Sequence, residues 1–333
     1  MERSGNRNRM AGRCGPVAGG QGRRGGATQR SRGLRLKQDT RHTPTILVTG
    51  VTGQIGFELL RALQGLGRVV PCDRSVLDLA DLDRVRAFAR DLKPALIVNP
   101  AAYTAVDTAE SEVELARRLN VDVPRVFAEE AARSGGTLIH YSTDYVFDGT
   151  KVGAYVETDA PNPLNAYGAT KLEGEQAIAA TGCAHVILRT SWVYGRRGRN
   201  FLRTMLKLGA ERPELRIVAD QVGAPTWAAT IAAATSHIIA QAAASADTDW
   251  WARRAGVYHL TSAGATSWCG FAEAIFGIAM ASHAPRVVPI SSDDYPTPAK
   301  RPANSKMALG KLAEVFGMQM PDWRDALQLC LSE

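Results

Sequence analysis

Short apolar runs alternate with amphipathic segments from Thr45 onward, and this alternation restricts the fold more than any other feature of the chain. Runs rich in Ile, Leu and Val predict strands at residues 46–48, 69–70, 95–98, 137–141 and 185–189. Helical patterns lie between them, at residues 54–66, 81–92, 110–133 with a break near Pro124, and 167–180. Uninterrupted apolar strands between helices are typical of parallel sheets covered on both faces. The sequence therefore predicts an α/β fold built on a doubly wound parallel sheet.

A glycine-rich turn joins the first predicted strand to the first predicted helix. Its glycines are Gly50, Gly53 and Gly56, in the spacing G-x-x-G-x-x-G. Glycines let such a turn tighten and let its backbone approach a pyrophosphate, which the helix N-terminus attracts. Tight turns also use glycine for steric reasons alone. The position of the turn within a βαβ unit favours dinucleotide binding, and hence a Rossmann-type sheet.

Acidic and basic residues follow the second predicted strand, where the adenosine part of a dinucleotide lies. Asp73 would accept a hydrogen bond from a ribose hydroxyl and favour NAD, whereas Arg74 would receive a 2′-phosphate and favour NADP. The sequence thus leaves the choice of coenzyme open. Asp78 with Leu79 has the position of an adenine contact, and Asp78 could equally cap the next helix.

A tyrosine and a lysine share one face of the predicted helix 167–180. Tyr167 and Lys171 are four residues apart, which places them on the same side of a helix. A free phenol titrates near about pH 10, so a neighbouring ammonium that favours the phenolate would make proton transfer efficient at neutral pH. Such pairs also occur on solvated helix faces. Because hydroxyl residues end the preceding strand and a dinucleotide turn lies upstream, the pattern predicts a hydride-transfer enzyme.

The organisation of the second half is looser, with Gly, Pro and Arg clusters after residue 191. Helices are predicted near residues 200–210, 227–246, 267–280 and 323–331. We therefore predict an NAD(P)-binding domain at 44–191 and a smaller mixed α/β substrate-binding domain at 192–333, from which segments return to the first domain. The predicted helix 227–246 is the nearest approach to a membrane span, but polar residues interrupt it. No membrane partner is predicted.

Positive charge is concentrated in residues 1–43. This segment holds eleven Lys or Arg and two acidic residues of a chain whose net charge is +7, so the remainder is slightly acidic. Rich in Gly and Arg and without apolar periodicity, it is predicted to be a disordered tail. An RNA-contacting arm and a targeting peptide are less favoured than a non-native extension, so no nucleic-acid partner is predicted.

The five scattered cysteines include no C-x-x-C pair and favour a reduced, cytoplasmic setting.

Several motifs together resemble the extended short-chain dehydrogenases, and more closely the dTDP-4-dehydrorhamnose reductases. The Tyr-Lys pair identifies only the superfamily. The narrower resemblance comes from S-T-D-Y-V-F at 142–147, R-T-S-W-V-Y at 189–194, D-Q-V-G-A-P-T at 220–226 and R-P-A-N-S at 301–305. It extends from about Ile46 to the C-terminus. Pro100 departs from the family, which usually has a small residue there, and removes a backbone donor near the coenzyme.

The resemblance implies reduction of the C4 keto group of dTDP-4-dehydro-6-deoxy-L-mannose to dTDP-L-rhamnose with NADPH or NADH, a step that supplies cell-wall or surface polysaccharide. Tyr167 would be the acid, Lys171 would hold the nicotinamide ribose and lower the tyrosine pKa, and Thr143 would orient the ketone. With the glycines of the turn and the Tyr-Lys pair, these positions would line the coenzyme: Gly53, Gln54, Ile55, Asp73, Asp78, Leu79, Ala102, Tyr103, Thr104 and Tyr141.

Substrate contacts are implied at Thr143, Asp144 and Trp192, and Arg301 would face the diphosphate. Each also has a plain structural interpretation. Thr143 could simply end a strand, Asp144 could be an acid in a turn, Trp192 could fill the core, and Arg301 could be a solvated surface residue. The resemblance further suggests a homodimer and Mg²⁺, for which Glu58 has the position of one acidic ligand, although a surface carboxylate explains it equally well. No metal ligand is assigned.

Three other functions remain as alternatives. A reductase of another nucleotide sugar or a related epimerase could use the same acid and lysine. A non-catalytic regulatory subunit could share the fold, although the presence of both Tyr167 and Lys171 argues against it.

Overall fold

A computed structural model describes residues 43–280 and 282–332 of the chain. The predicted disordered tail, apart from its last residue, lies outside the described residues. The strands are β1 (Thr45–Val48), β2 (Arg68–Pro71), β3 (Leu96–Asn99), β4 (Thr137–Thr143), β5 (Ala184–Thr190), β6 (Val193–Tyr194), β7 (Glu214–Val218), β8 (Val222–Gly223), β9 (Thr226–Trp227), β10 (Gly256–His259), β11 (Thr266–Ser267) and β12 (Arg286–Ile290).

The helices are α1 (Gln54–Ala62), α2 (Leu82–Leu92), α3 (Val106–Ala109), α4 (Val113–Arg117), α5 (Val123–Ser134), α6 (Ala166–Ala180), α7 (Phe201–Glu211), α8 (Ala228–Ala244), α9 (Trp250–Arg253), α10 (Trp268–Ala279), α11 (Gly310–Phe316) and α12 (Trp323–Ser332). A π-helical turn at Arg118–Asp122 joins α4 to α5. Of the helices that the structure describes, none is both long enough and apolar enough to span a bilayer.

The central sheet has the strand order β10-β5-β4-β3-β1-β2, and every neighbouring pair is parallel. The predicted doubly wound sheet is confirmed. The strand β10 was not predicted, because four residues that begin with glycine and end with histidine give no apolar run. Through it, a segment distant in sequence returns to the sheet beside β5.

Helices cover both faces of this sheet. Ile46 and Val48 point into a core that includes Ile231 and Ile238 of α8, whereas Leu47 points into the opposite core. The alternation follows from the period of two along a strand. It explains why the strand sequence is apolar throughout, as expected for a sheet buried on both faces.

Two predicted helices differ in their bounds, and the irregularity predicted near Pro124 is present in the second. The first helix stops at Ala62 rather than at residue 66, because Gly65 has a φ of +85° and reverses the chain toward β2. The predicted helix 110–133 is divided into α4, the π-helical turn and α5, and the division precedes Pro124. Pro124 is the second residue of α5, directly after the π-helical turn, and has no N–H to donate back into that turn.

The rest of the chain forms a smaller assembly around a third core. The parallel pair β7 and β12 packs with α7, α10 and α12, and Phe271, Phe276 and Trp323 lie at its centre. Because β10 lies in the central sheet, residues after 191 contribute to both parts. The division into domains at residue 191 stays a prediction.

Candidate active site

A cavity of about 950 Å³ opens at the carboxyl ends of the central strands. Ligands of open α/β sheets bind at this edge. Every residue predicted to contact the coenzyme lines it, as do Thr143, Asp144 and Trp192. Arg301 does not line it. Its Nη2 lies 2.8 Å from Asp107 Oδ2, and its guanidinium lies 5.7 Å from the centre of the Tyr145 ring. The contact predicted for Arg301 with the diphosphate stays a prediction.

The glycine turn is shaped by close contacts between backbone atoms. Gly50 has a φ of +57°, and α1 begins at Gln54 directly after Gly53. A Cβ on Gly56 would lie 2.2 Å from the Gly50 carbonyl oxygen, and one on Gly50 would lie 3.0 Å from the Ala101 backbone. Side chains at these positions would therefore push the turn apart. The resulting cradle, with the N-terminus of α1 beside it, fits the pyrophosphate of a dinucleotide.

Two loop carboxylates lie at the other end of the cavity, after β2. Asp73 Oδ1 accepts hydrogen bonds from Ser75 N at 2.8 Å and Ser75 Oγ at 2.5 Å, and these bonds hold the pKa of Asp73 below its ordinary value. Arg74 is exposed beside it. Asp78 accepts from Ala80 N, whereas Asp81 accepts from Arg84 N and caps α2. Asp78 is thus not the helix cap.

Tyr167 is half-buried in the first turn of α6. Asn165 caps this helix and accepts from Gly168 N at 2.8 Å, and a Cβ on Gly168 would lie 2.1 Å from the Tyr145 carbonyl oxygen. The hydroxyl of Tyr167 is hydrogen-bonded to Thr143. Thr143 Oγ1 in turn donates to Asp144 Oδ1 at 3.0 Å. A chain of hydrogen bonds therefore runs from the phenol to a buried carboxyl.

Burial controls the acidity of these groups. It raises the pKa of Tyr167 to about 12, against the lowering effect of the Thr143 hydrogen bond, and it raises the pKa of Asp144 to about 6. The structure thus differs from the expectation that Lys171 lowers the tyrosine pKa, because removal of the phenol from water dominates. A phenol with this pKa is protonated at neutral pH and can act as a proton donor.

Lys171 is wholly buried and has two polar partners. Its Nζ lies 2.6 Å from the Tyr141 carbonyl oxygen and 3.0 Å from His140 Nε2. Burial lowers the pKa of Lys171 to about 8, although the Glu175 carboxylate acts in the opposite direction. The amine is therefore held beneath the cavity by β4, in a fixed place.

A buried polar chain behind Lys171 was missed in the sequence analysis. His140 Nδ1 lies 3.2 Å from Asn99 Nδ2, and Asn99 Oδ1 accepts from Thr49 Oγ1 at 2.5 Å. These side chains are fully buried, His140 in the middle of β4, Asn99 at the end of β3 and Thr49 just after β1. Their signal in the sequence is a polar residue within or directly after an apolar strand.

Asn120 was missed as well. It lies in the π-helical turn, where its side chain accepts from Tyr103 N at 2.8 Å and donates to Tyr103 O and to Thr170 Oγ1. A π-helical turn in a helix is frequently found at functional sites. Here it ties the cavity loop at Tyr103 to the helix that carries Tyr167.

Trp192 has a left-handed backbone conformation that is uncommon for a residue with a bulky side chain. Its φ is +49°, and its ring stacks on Trp268 with centroids 3.6 Å apart. The ring is half-buried and lines the cavity rather than filling a closed core.

No group of three or more His, Cys, Asp or Glu side chains that could hold a metal ion occurs within residues 43–280 and 282–332. The structure therefore gives no support to Mg²⁺ at Glu58.

Comparisons with known sequences agree with the geometry of the cavity. The profile of a family described as the RmlD substrate binding domain matches residues 44–333. A dTDP-4-dehydrorhamnose reductase from Burkholderia thailandensis is 51% identical over 298 residues, which cover 86% of this chain and 98% of that protein. The protein of the same name from Escherichia coli K12 is 42% identical, with coverages of 86% and 97%.

Solved structures give the same result. A dTDP-4-dehydrorhamnose reductase from Clostridium acetobutylicum has a TM-score of 0.80 and 36% identity, covering 86% of this chain and 98% of that one. The Bacillus anthracis enzyme in complex with NADP has a TM-score of 0.80 and 34% identity, with coverages of 87% and 99%. This chain belongs to the dTDP-4-dehydrorhamnose reductase family, a family of oxidoreductases.

Proposed function

We propose that the protein reduces the C4 keto group of dTDP-4-dehydro-6-deoxy-L-mannose to dTDP-L-rhamnose, with NADPH or NADH as the reductant. One observation carries this proposal: the Tyr167 phenol, whose pKa is raised to about 12, and the glycine turn open into the same cavity. The relatives at 51% and 42% identity, both dTDP-4-dehydrorhamnose reductases, supply the class of sugar. The product would enter cell-wall or surface polysaccharide.

The chemistry divides between coenzyme and protein. When bound, NAD(P)H would supply a hydride to C4 of the sugar and remain as NAD(P)⁺. Tyr167 would donate its phenolic proton to the C4 oxygen, so that hydride and proton together convert the ketone to an alcohol. Thr143 lies beside the phenol and donates to Asp144 in the free protein; with the sugar bound, the same hydroxyl would donate to the C4 oxygen instead and so orient the ketone. The burial that raises the tyrosine pKa keeps the proton available until it is needed.

Lys171 serves the step in a second way. After proton transfer a phenolate remains, and a buried ammonium four residues along the same helix would stabilise that negative charge. The same amine would donate to the hydroxyls of the nicotinamide ribose. Its anchors, Tyr141 O and His140 Nε2, keep it from turning out of the site.

The coenzyme is NADPH or NADH, and the residues that would hold it are those of the glycine turn, the loop after β2 and the segment Ala102–Thr104. An NADP complex is known for the Bacillus anthracis relative. A homodimer and a cytoplasmic location stay predictions.

A spectrophotometric assay tests the proposal. We expect the absorbance of the reduced nicotinamide to fall in proportion to the dTDP-4-dehydro-6-deoxy-L-mannose added, in separate runs with NADPH and NADH, and dTDP-L-rhamnose to form. An epimerase would convert the sugar without net consumption of NAD(P)H. A regulatory subunit would show neither reaction, and either result would overturn the proposal.

A further inference from the structure

The indole of Trp192 is held between two parts of the smaller assembly. One face stacks on Trp268, with ring centroids 3.6 Å apart and planes 5° from parallel. Directly overlapped rings are less favourable than offset or perpendicular ones. The stack therefore depends on neighbours that hold each ring in place.

Trp268 has two such neighbours. Its Nε1 donates to Gln221 Oε1 at 3.2 Å, and Phe201 packs against it with centroids 4.6 Å apart. Trp268 is also the first residue of α10, which Ser267 caps by accepting from Gly270 N at 3.0 Å. Its ring is thus fixed by a hydrogen bond, a ring contact and a capped helix start.

Gly223 provides the second contact. A Cβ at this position would lie 2.7 Å from Trp192 Cε2 and 2.8 Å from its Nε1, closer than carbon and nitrogen atoms pack. Gly223 does not have a positive φ, so its backbone does not require glycine. What the missing side chain provides is the space that the indole occupies. Because β8 pairs with β11 immediately before Trp268, both contacts come from one short ladder.

Trp192 lies close to Thr143 in the sheet. Thr143 ends β4 and pairs with Thr190 of β5, and Trp192 follows two residues later. The next residue, Val193, accepts from Gln54 Nε2 at 3.4 Å, so the backbone here also contacts the start of α1. The indole itself lines the cavity beside Thr143, where the proposed function places the sugar.

We propose that Gly223 and Trp268 act as a clamp that holds the Trp192 indole as the wall against which the apolar face of the sugar packs. They would be positioning residues, which determine the affinity for the sugar nucleotide without touching it. This inference rests on the proposed function, because the contact of Trp192 with the sugar belongs to it.

The test compares variants in which either half of the clamp is altered. Gly223→Ala adds a methyl group where the indole lies, and we expect it to raise KM for the dTDP-sugar by roughly tenfold or more, as overpacking does. Trp268→Leu removes the stacked ring and should raise KM by about two- to tenfold, the worth of an aromatic pair. Trp268→Phe should recover part of that loss. In all three, kcat and the dissociation constant of NADPH should change by less than about twofold, since ground-state sugar binding is what the clamp supports.

Trp251→Phe is the matched control. It breaks the other indole pair, Trp250 with Trp251, whose planes cross at 82° and neither of which lines the cavity. We expect no change in KM.

Circular dichroism detects the stacking of Trp192 on Trp268 without an activity assay, because two stacked indoles couple their electronic transitions. In the Trp251→Phe background, which lacks the coupling of Trp250 with Trp251, the couplet should be lost when Trp268 is replaced by Leu or Phe.

The outcomes separate the two proposals. Wild-type protein that fails to oxidise NAD(P)H with the dTDP-sugar overturns the proposed function and the sugar contact with it. Active wild-type protein whose KM is unchanged by Gly223→Ala and Trp268→Leu overturns the clamp alone. A joint fall of kcat, coenzyme affinity and thermal stability would also overturn it, because that pattern indicates a purely structural role.

Discussion

The two ends of the cavity are built in different ways. At the end predicted to hold the coenzyme, called the coenzyme end below, the missing side chains of Gly50 and Gly56 let backbone atoms approach one another closely. At the end where the sugar would be reduced, side chains from several strands and helices are held by hydrogen bonds, Thr143 to Asp144 and Lys171 to His140 and the Tyr141 carbonyl. The first end depends on the space around one short turn. The second depends on the packing of the whole sheet, so changes at the two ends should have different signatures.

The largest effect is expected at the chemical end. Tyr167→Phe removes the proton donor and should lower kcat by about 10²–10⁴-fold, the usual contribution of a general acid. The dissociation constant of NADPH should stay within about twofold, because the ring and its edge contact with Tyr145 remain. Steady-state kinetics and coenzyme titration measure the two quantities. Tyr258→Phe, which removes a hydroxyl bonded to Arg254 O outside the cavity, is the control. Near-normal turnover in Tyr167→Phe would remove Tyr167 from its assigned role.

Changes at the coenzyme end should weaken NADPH binding rather than slow the chemical step. Gly56→Ala places a Cβ 2.2 Å from the Gly50 carbonyl oxygen, so the turn must open. Overpacking costs roughly 1–3 kcal/mol, and we expect NADPH to bind about tenfold to a hundredfold more weakly. Fluorescence titration of NADPH gives the affinity. Gly153→Ala adds the same methyl group where no atom lies within 4 Å and should bind NADPH normally. Equal affinities in the two variants would contradict a cradle made by close backbone contact.

The pH dependence of kcat/KM should report on Lys171, which is expected to act at both ends of the cavity. Its pKa is lowered to about 8, so the ammonium is present below that pH and is lost above it. Because both the ribose contact and the stabilised phenolate need the positive charge, kcat/KM should fall by about tenfold per pH unit above about 8. Tyr167, with a pKa of about 12, stays protonated throughout this range.

The variant Lys171→Met isolates this group, which His140, Glu175 and the Tyr141 carbonyl face in the folded protein. We expect weaker coenzyme binding, slower turnover and a pH profile without the basic limb. If kcat/KM of Lys171→Met still fell above about pH 8, a group other than Lys171 would be responsible for that fall.

The smallest effect is expected at the exposed loop after β2. Asp73 Oδ1 is already bonded to Ser75, and Arg74 beside it is exposed. Arg74→Ala should therefore lower the preference for NADPH over NADH by roughly two- to fivefold, the size of an exposed charge contact, and less so at high salt. The ratio of the two kcat/KM values measures it. Arg84→Ala removes an exposed arginine that does not line the cavity and should leave the ratio unchanged.

The comparison also explains what could be predicted from sequence. The glycine turn is contiguous, and its steric demands act between near neighbours, so its position within a βαβ pattern was enough to predict the cradle. The contacts of His140 with Asn99 and Lys171 join residues distant in the chain, and His140 meets Asn99 because the two are register partners in β4 and β3. A lone polar residue in or after an apolar run does not reveal its partner.

Three further features could not be predicted from the sequence, because they too depend on contacts between residues distant in the chain. The pKa of Tyr167 depends on burial, which helical spacing alone does not give. The roles of Gly223 and Trp268 depend on a ladder between two-residue strands, too short to leave a periodic pattern. The strand β10 was missed because its position in the sheet is determined by β5 rather than by its own apolar residues.

That late strand has a consequence for synthesis. Strand β5 is complete at Thr190, but its free edge pairs only when Gly256–His259 has left the ribosome. Throughout that interval the nascent chain presents unpaired N–H and C=O groups along an apolar strand, the kind of edge that recruits a second chain. Chaperone demand and aggregation during overproduction should therefore be governed by the translation of the segment between these two strands.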